Sequence, residues 1–155
     1  MSATENPDQL WEVAPTSEAV GMPMADWWRR AAALVVDVAV LWIPLALATR
    51  DIGHSITAYG IWVAVGVTYF AFLNGGRRGQ TLGKMVWEIR VRDAATGGPL
   101  GVSKAGLRFL APTLPSIIPI LGPVLWLADG VSALWDGRRQ TVHDKLAGSV
   151  VMSAR

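Results

Sequence analysis

Two apolar runs constrain this chain more than anything else in it. Residues 31–48 hold one charge, Asp37, and residues 56–73 hold none. A stretch of about 20 mostly apolar residues is what a helix needs to cross a bilayer. Two such runs in 155 residues, with 52% hydrophobic and only 17% charged residues, set aside an ordinary soluble enzyme. An acidic rather than basic segment precedes the first run, which argues against a signal peptide.

A third run, 109–128, is uncharged but broken. Pro112, Pro115, Pro119 and Pro123 fall within it. Each removes a backbone donor and clashes with the preceding turn. The segment reads either as one kinked crossing or as a hairpin or re-entrant loop turning near 119–123, with spans placed at about 29–49, 55–74 and 105–136. Irregular backbone at membrane depth requires protein or a wet cavity around it.

Charge placement gives the orientation. Arg50 is the one basic residue between the first two runs, whereas Arg77, Arg78, Lys84, Arg90, Arg92, Lys104 and Arg108 follow the second. Positive-inside counting then places the N-terminus in the cytoplasm, and an even number of crossings would place the basic C-terminal tail there too. Eleven Arg against three Lys, in a chain rich in Ala, Val and Gly, suit a bacterium of high genomic GC, hence a bacterial plasma membrane. Trp27 and Trp28 stand where the first span meets the headgroups.

Outside the runs, residues 1–26 carry five acids and no base, and read as a mobile tail. Leu10, Trp11 and Val13 are its one apolar spot and a candidate docking element for another protein. Residues 85–92 alternate apolar and polar, the signature of a strand. With the turn at 93–99 and a return over 100–102, they predict a small cytoplasmic β-hairpin with its apolar face toward lipid or a partner. Overall the fold class is an all-α membrane protein: two full spans, a proline-broken third segment and this hairpin, with residues 27–151 as one transmembrane domain.

No chemistry beyond that stands out. The Gly79–Lys84 segment fails the phosphate-loop pattern, because Arg78 and Met85 occupy positions that need Gly and Ser or Thr. With no cysteine, two histidines and no catalytic constellation, neither an enzyme nor a cofactor or metal site is expected. The basic loop points to anionic lipid rather than nucleic acid.

Charged and hydroxylic residues near the spans are the candidate site. Arg30 and Asp37 are seven apart and share a helix face. A simple antiparallel hairpin puts Thr68 and Tyr69 within about a turn of the depth of Asp37, as donors. Asp129 and Asp136 repeat the spacing of seven, and Asp136 is expected near Arg30. The group reads as a structural polar network or, alternatively, as a proton or cation site on Asp37.

Three segments resemble the RDD family of bacterial membrane proteins. They are Trp28-Arg29-Arg30 through Asp37, then Gly79–Lys84 with Ile89–Asp93 and Gly98–Leu100, then Asp136–Gly148. The resemblance covers about 28–151 and implies that Arg30, Asp37 and Asp144 are the arginine and two aspartates of the family name. It also draws attention to His143 beside Asp144, and cation–proton exchange has been proposed within the family. Two functions follow as expectations: a small accessory or assembly subunit of a larger membrane complex, or self-associating, and, alternatively, an oligomeric cation–proton exchanger. No internal repeat is evident, which favours the first.

Overall fold

The computed structural model describes residues 23–53 and 55–154. The tail residues Leu10, Trp11 and Val13 lie outside them.

The first rod runs from Trp27 to Ile52. It consists of α1 (Trp27–Asp37), a π-helical turn (Val38–Trp42), α2 (Ile43–Thr49) and a 3₁₀ turn (Arg50–Ile52). Pro44 explains the widened turn. It has no N–H for the carbonyl of Val40, and the register slips so that Ile43 N–H reaches back to Val38 O. Ser55 then caps α3 (Ile56–Gly75) by accepting from Ala58 N–H at 3.2 Å. At 26 and 20 residues, these two rods are long and apolar enough to cross a membrane.

Aromatic side chains pack between the rods and between the second rod and the later helical segment that carries Phe109. The rings of Trp42 and Trp62 stack at 5.2 Å, and those of Phe70 and Phe109 at 5.1 Å. Gly66 lets Phe109 and Trp42 approach, since a Cβ there would lie 2.4 Å from the Phe109 ring.

The segment after α3 differs from its expected form. Residues 82–86 are a short helix, α4 (Leu82–Val86), because Thr81 caps it through Lys84 N–H. The strand begins later, as β1 (Ile89–Asp93). Its partner is not 100–102 but β2 (Ser149–Ser153) at the far end of the chain, antiparallel, with Val91 opposite Val151. The alternation was local and readable; the partner was not. The apolar face of β1 is also turned inward, with Ile89 and Val91 fully buried against Ala25, Ala33, Leu100, Ala105 and Val151. Residues 23–25 run along the other edge of β2, where Ala25 N–H donates to Val151 O.

The third apolar segment is broken into α5 (Val102–Thr113), a 3₁₀ turn (Pro115–Ile117) and α6 (Leu121–Ser132). Ile120 between them adopts φ +67°. Gly122 sits so close to Ser116 that a Cβ would fall 2.6 Å from its Cα. Both arms return to one short helix, α7 (Val142–Leu146), α5 through Arg108 and α6 through Asp129.

A repeat that the sequence did not advertise now appears. Gln80 and Gln140, and Thr81 and Thr141, occupy positions 60 apart in the numbering. Thr81 and Thr141 cap α4 and α7, each five residues long. Gln80 Nε2 donates to Ile89 O and Gln140 Nε2 to Ser149 O, each the first residue of the strand that follows. Glu88 and Gly148, one residue earlier, both take positive φ, at 51° and 59°. β1 and β2 are therefore equivalent strands related by an approximate two-fold axis through the Val91–Val151 pair. The expectation of no internal repeat is overturned at the level of structure. In sequence the copies share little beyond Gln-Thr, since capping and turn geometry tolerate many neighbours.

Candidate functional site

The helices meet the short-helix and sheet layer through two buried aspartates, one at each copy of the repeat. Asp37 lies at the end of α1, where the π turn begins. Its Oδ1 accepts from Tyr69 Oη at 2.8 Å and from Gly83 N–H at 2.8 Å, and its Oδ2 accepts from Thr81 Oγ1 at 2.7 Å. Tyr69 Oη in turn accepts from Leu82 N–H. The carboxylate thus satisfies the start of α4, whose first N–H groups have no partner within the helix. Tyr69 falls where depth counting put it. Thr68 does not join: its hydroxyl donates back to Ala64 O, within its own helix. Thr81 and Gly83 escape the sequence reading because they sit beyond the second span, where depth counting on a two-helix hairpin does not reach.

Arg30 does not turn to Asp37, although both lie on one helix. It reaches across to Asp144, with Nη1 2.9 Å from Oδ2. Arg108 of α5 completes the arrangement, with Nε 2.7 Å from Oδ1. Asp144 is fully buried, and the two arginine side chains keep 12% and 11% of their exposure. Ser149 Oγ and Thr141 N–H also donate to Asp144, and Thr141 and Asp144 form a capping box for α7. Burial by itself would push this carboxyl up; Arg108, His143 and Arg30 outweigh it and hold the group well below the usual carboxylate range. One buried carboxylate therefore ties the start of α1 and the middle of α5 to the second copy of the repeat.

Asp129 accepts from the backbone N–H and, through its other oxygen, meets the ring Nδ1 of His143. His143 Nε2 lies 3.9 Å from Asp144 Oδ1, so the imidazole stands between two carboxylates. Asp136 is not near Arg30 as expected. It pairs with Lys145 at 2.5 Å and accepts from Arg138 and Gln140 N–H, closing the turn before α7. Burial raises its carboxyl less than Lys145 and the turn amides lower it.

Lys84 occupies the place in α4 that Asp144 holds in α7. It is buried, and its ammonium donates to Asn74 Oδ1 at 2.9 Å, a neutral partner. Burial, with repulsion from Arg108 and Arg30, outweighs Asp37 and Asp144 and pulls it down to about 7. The unfolded chain then binds this proton more tightly between pH 7 and 10.5, so folding stability should rise as the pH rises through that window. The gain is on the order of several kcal/mol at most. Melting in detergent across pH 7 to 9.5 should show the rise in the wild type and a flatter profile in Lys84→Met.

The basic loop is less exposed than its charge count suggests. Lys84 and Arg108 point inward, Lys104 pairs with Asp93 at 2.6 Å, and Arg90 and Arg92 donate to backbone carbonyls. Among the described residues there is no cluster of three or more potential metal ligands.

The fold and site together define a small membrane protein built on two apolar rods, with buried aspartates locking a repeated short-helix and strand unit beneath them. The chain belongs to the RDD family, which matches residues 24–148. It is 28% identical over 123 residues to the proline-rich antigen of Mycobacterium leprae (strain TN), a match covering 77% of this chain and 47% of that protein. It is also 32% identical over 88 residues to the proline-rich antigen homolog of Mycobacterium tuberculosis (strain ATCC 25618 / H37Rv), covering 55% of this chain and 34% of that protein. The chain thus spans less than half the length of these relatives. No solved structure matches it.

Proposed function

We propose that this protein is an accessory or assembly subunit of a larger complex in a bacterial plasma membrane, and that its buried charges serve its own architecture. The observation behind this reading is the division of labour between polar and apolar surface. The family arginine and both aspartates are engaged internally, whereas Val35, Leu47, Phe72 and Leu127 are 59–67% exposed along the helices. Such a perimeter suits lipid and neighbouring helices. The mycobacterial relatives carry much additional chain, consistent with a module joined to other parts.

The same reading has both termini in the cytoplasm. The start of α1, the end of α3, the start of α5 and the end of α6 meet the same layer of short helices and sheet. At 12 residues each, α5 and α6 reach about 18 Å, too short for a crossing of about 30 Å. They make a re-entrant hairpin in this proposal. An impermeant thiol reagent on intact cells should label Ser55→Cys and leave Ala95→Cys, exposed on the turn after β1, unlabelled.

The exchanger reading draws on Asp37 and on the repeat. Yet α3 and α6 both run toward the same layer, so the repeat is parallel rather than inverted, and its second copy is short. Native purification in mild detergent with mass spectrometry of the subunits decides between the two. A stable heteromeric complex supports the accessory role. Recovery of this chain alone, with cation-driven proton flux in proteoliposomes that Asp37→Asn abolishes, overturns it.

A structural role for Asp37 also predicts a ranking of variants. Asp37→Leu strands three donors at a cost of about 3 kcal/mol, whereas Asp37→Asn keeps an acceptor for part of them. Fluorescence-detected size exclusion should show a lower folded yield for leucine than for asparagine. Wild-type yields for both would remove Asp37 from the architecture.

A further inference from the structure

We propose that a cavity at the foot of the first rod binds the phosphate of an anionic phospholipid headgroup. The cavity holds about 420 Å³ and is lined by residues 23–26 together with Arg29, Arg139 and Ser153. Three charged side chains face it: Arg29, Arg139 and Asp26. Arg139 and Asp26 are paired at its rim, both about half exposed.

Arg29 is the unusual member. Among the described residues it makes no ion pair and no side-chain hydrogen bond, and its Nε is buried without a partner. Its guanidinium carbon lies 5.5 Å from the centre of the Trp28 ring. Its neighbour Arg30 also has an unpartnered Nε, but its two terminal nitrogens are held by Asp144 and the carbonyl of Val151. A guanidinium presents a fork of donors matched to two oxygens of a phosphate, and leaving it partly desolvated without an anion is costly. The lining carries two positive charges and one negative, so one monoanionic phosphodiester balances it.

Position selects a lipid over a free anion. Trp27 and Trp28 open the rod and are 37% and 50% exposed, and Trp27 Nε1 donates to Gly130 O at the end of α6. Indoles with one wet end and one apolar end settle at headgroup level. The cavity therefore sits beside the depth where phosphates lie, with exposed apolar helix above it for acyl chains. This site is separate from the basic loop at 77–108, whose side chains are largely engaged elsewhere.

The test is lipid retention by native mass spectrometry after reconstitution in nanodiscs containing equal phosphatidylglycerol and phosphatidylcholine. The wild type should retain phosphatidylglycerol over phosphatidylcholine by about tenfold. Arg29→Gln should remove most of that preference without lowering the melting temperature in pure phosphatidylcholine, because among the described residues Arg29 has no counter-ion to lose. Asp26→Asn should strengthen retention, since it removes the competing carboxylate; this variant decides the matter if Arg29→Gln fails to fold. Equal retention of both lipids by the wild type overturns the proposal, as does an undiminished preference in Arg29→Gln. Protection by inorganic phosphate equal to that by phosphatidylglycerol would make the ligand a free anion and overturn the lipid assignment. A severalfold rise in retention on deleting residues 1–20 would make the acidic tail the resident occupant and overturn it equally.

Discussion

Asp144→Asn should unfold or strongly destabilise this protein, by about 3–5 kcal/mol. The asparagine keeps the shape of the side chain and removes the charge that Arg30 and Arg108 share at 2.9 and 2.7 Å. Two nearly buried guanidinium groups would then face each other with no anion between them. The loss should be visible as a collapse of folded yield in detergent and as detachment of α1 from the sheet layer. A triple variant, Arg30→Met with Arg108→Met and Asp144→Leu, should recover much of the stability, because removing all three charges together also removes the cost of burying them. Failure of Asp144→Asn to lower the melting temperature would show that the pairs contribute nothing. The carboxyl is held below its ordinary value, so this contribution is present above the unfolded pKa and is lost only as the pH falls through the lower folded one. Mild acid should therefore leave the triad intact.

The second large effect is steric. In Gly83→Ala the new Cβ would lie 2.0 Å from Ala33 O and 2.8 Å from its carbonyl carbon. Both are backbone atoms of α1, which cannot swing aside as a side chain can. The same shift would pull Gly83 N–H from Asp37 Oδ1, now 2.8 Å away. A cost above about 3 kcal/mol is expected from overpacking and the lost hydrogen bond together. Gly60→Ala is the control, because nothing lies within 4 Å of a Cβ there, and helix propensity favours alanine. Thermal melts of the two variants should separate widely. Similar melting temperatures would mean that α1 and α4 do not approach as closely as they do here.

Local rules reached as far as local causes operate. Hydropathy marked both long rods, since a run of apolar residues needs no distant partner to be apolar. The prolines marked the break between α5 and α6 for the same reason, each cancelling a hydrogen bond a few residues away. Alternation marked a strand over 85–92, and only its second half lies in β1. Depth counting on a simple hairpin brought Tyr69 to Asp37, because two antiparallel helices joined by a short loop have little freedom.

What lay beyond was decided by contacts between residues far apart in the chain. Arg30 had two aspartates within reach of a plausible argument, Asp37 on its own helix and Asp136 across the fold. It took neither, because Thr81, Gly83 and Tyr69 already satisfied Asp37, and Lys145 with two turn amides satisfied Asp136. The third partner, Asp144, becomes available only when β2 crosses the chain to pair with β1. The repeat stayed hidden for a related reason: a five-residue helix, a cap and a positive-φ turn can be written with Leu-Gly-Lys-Met-Val or Val-His-Asp-Lys-Leu alike. Sequence by itself determined that the chain would enter a membrane and where its backbone would break. Tertiary structure alone decided which buried charges meet, because a carboxylate in low dielectric is assigned by whichever donors the packing delivers to it.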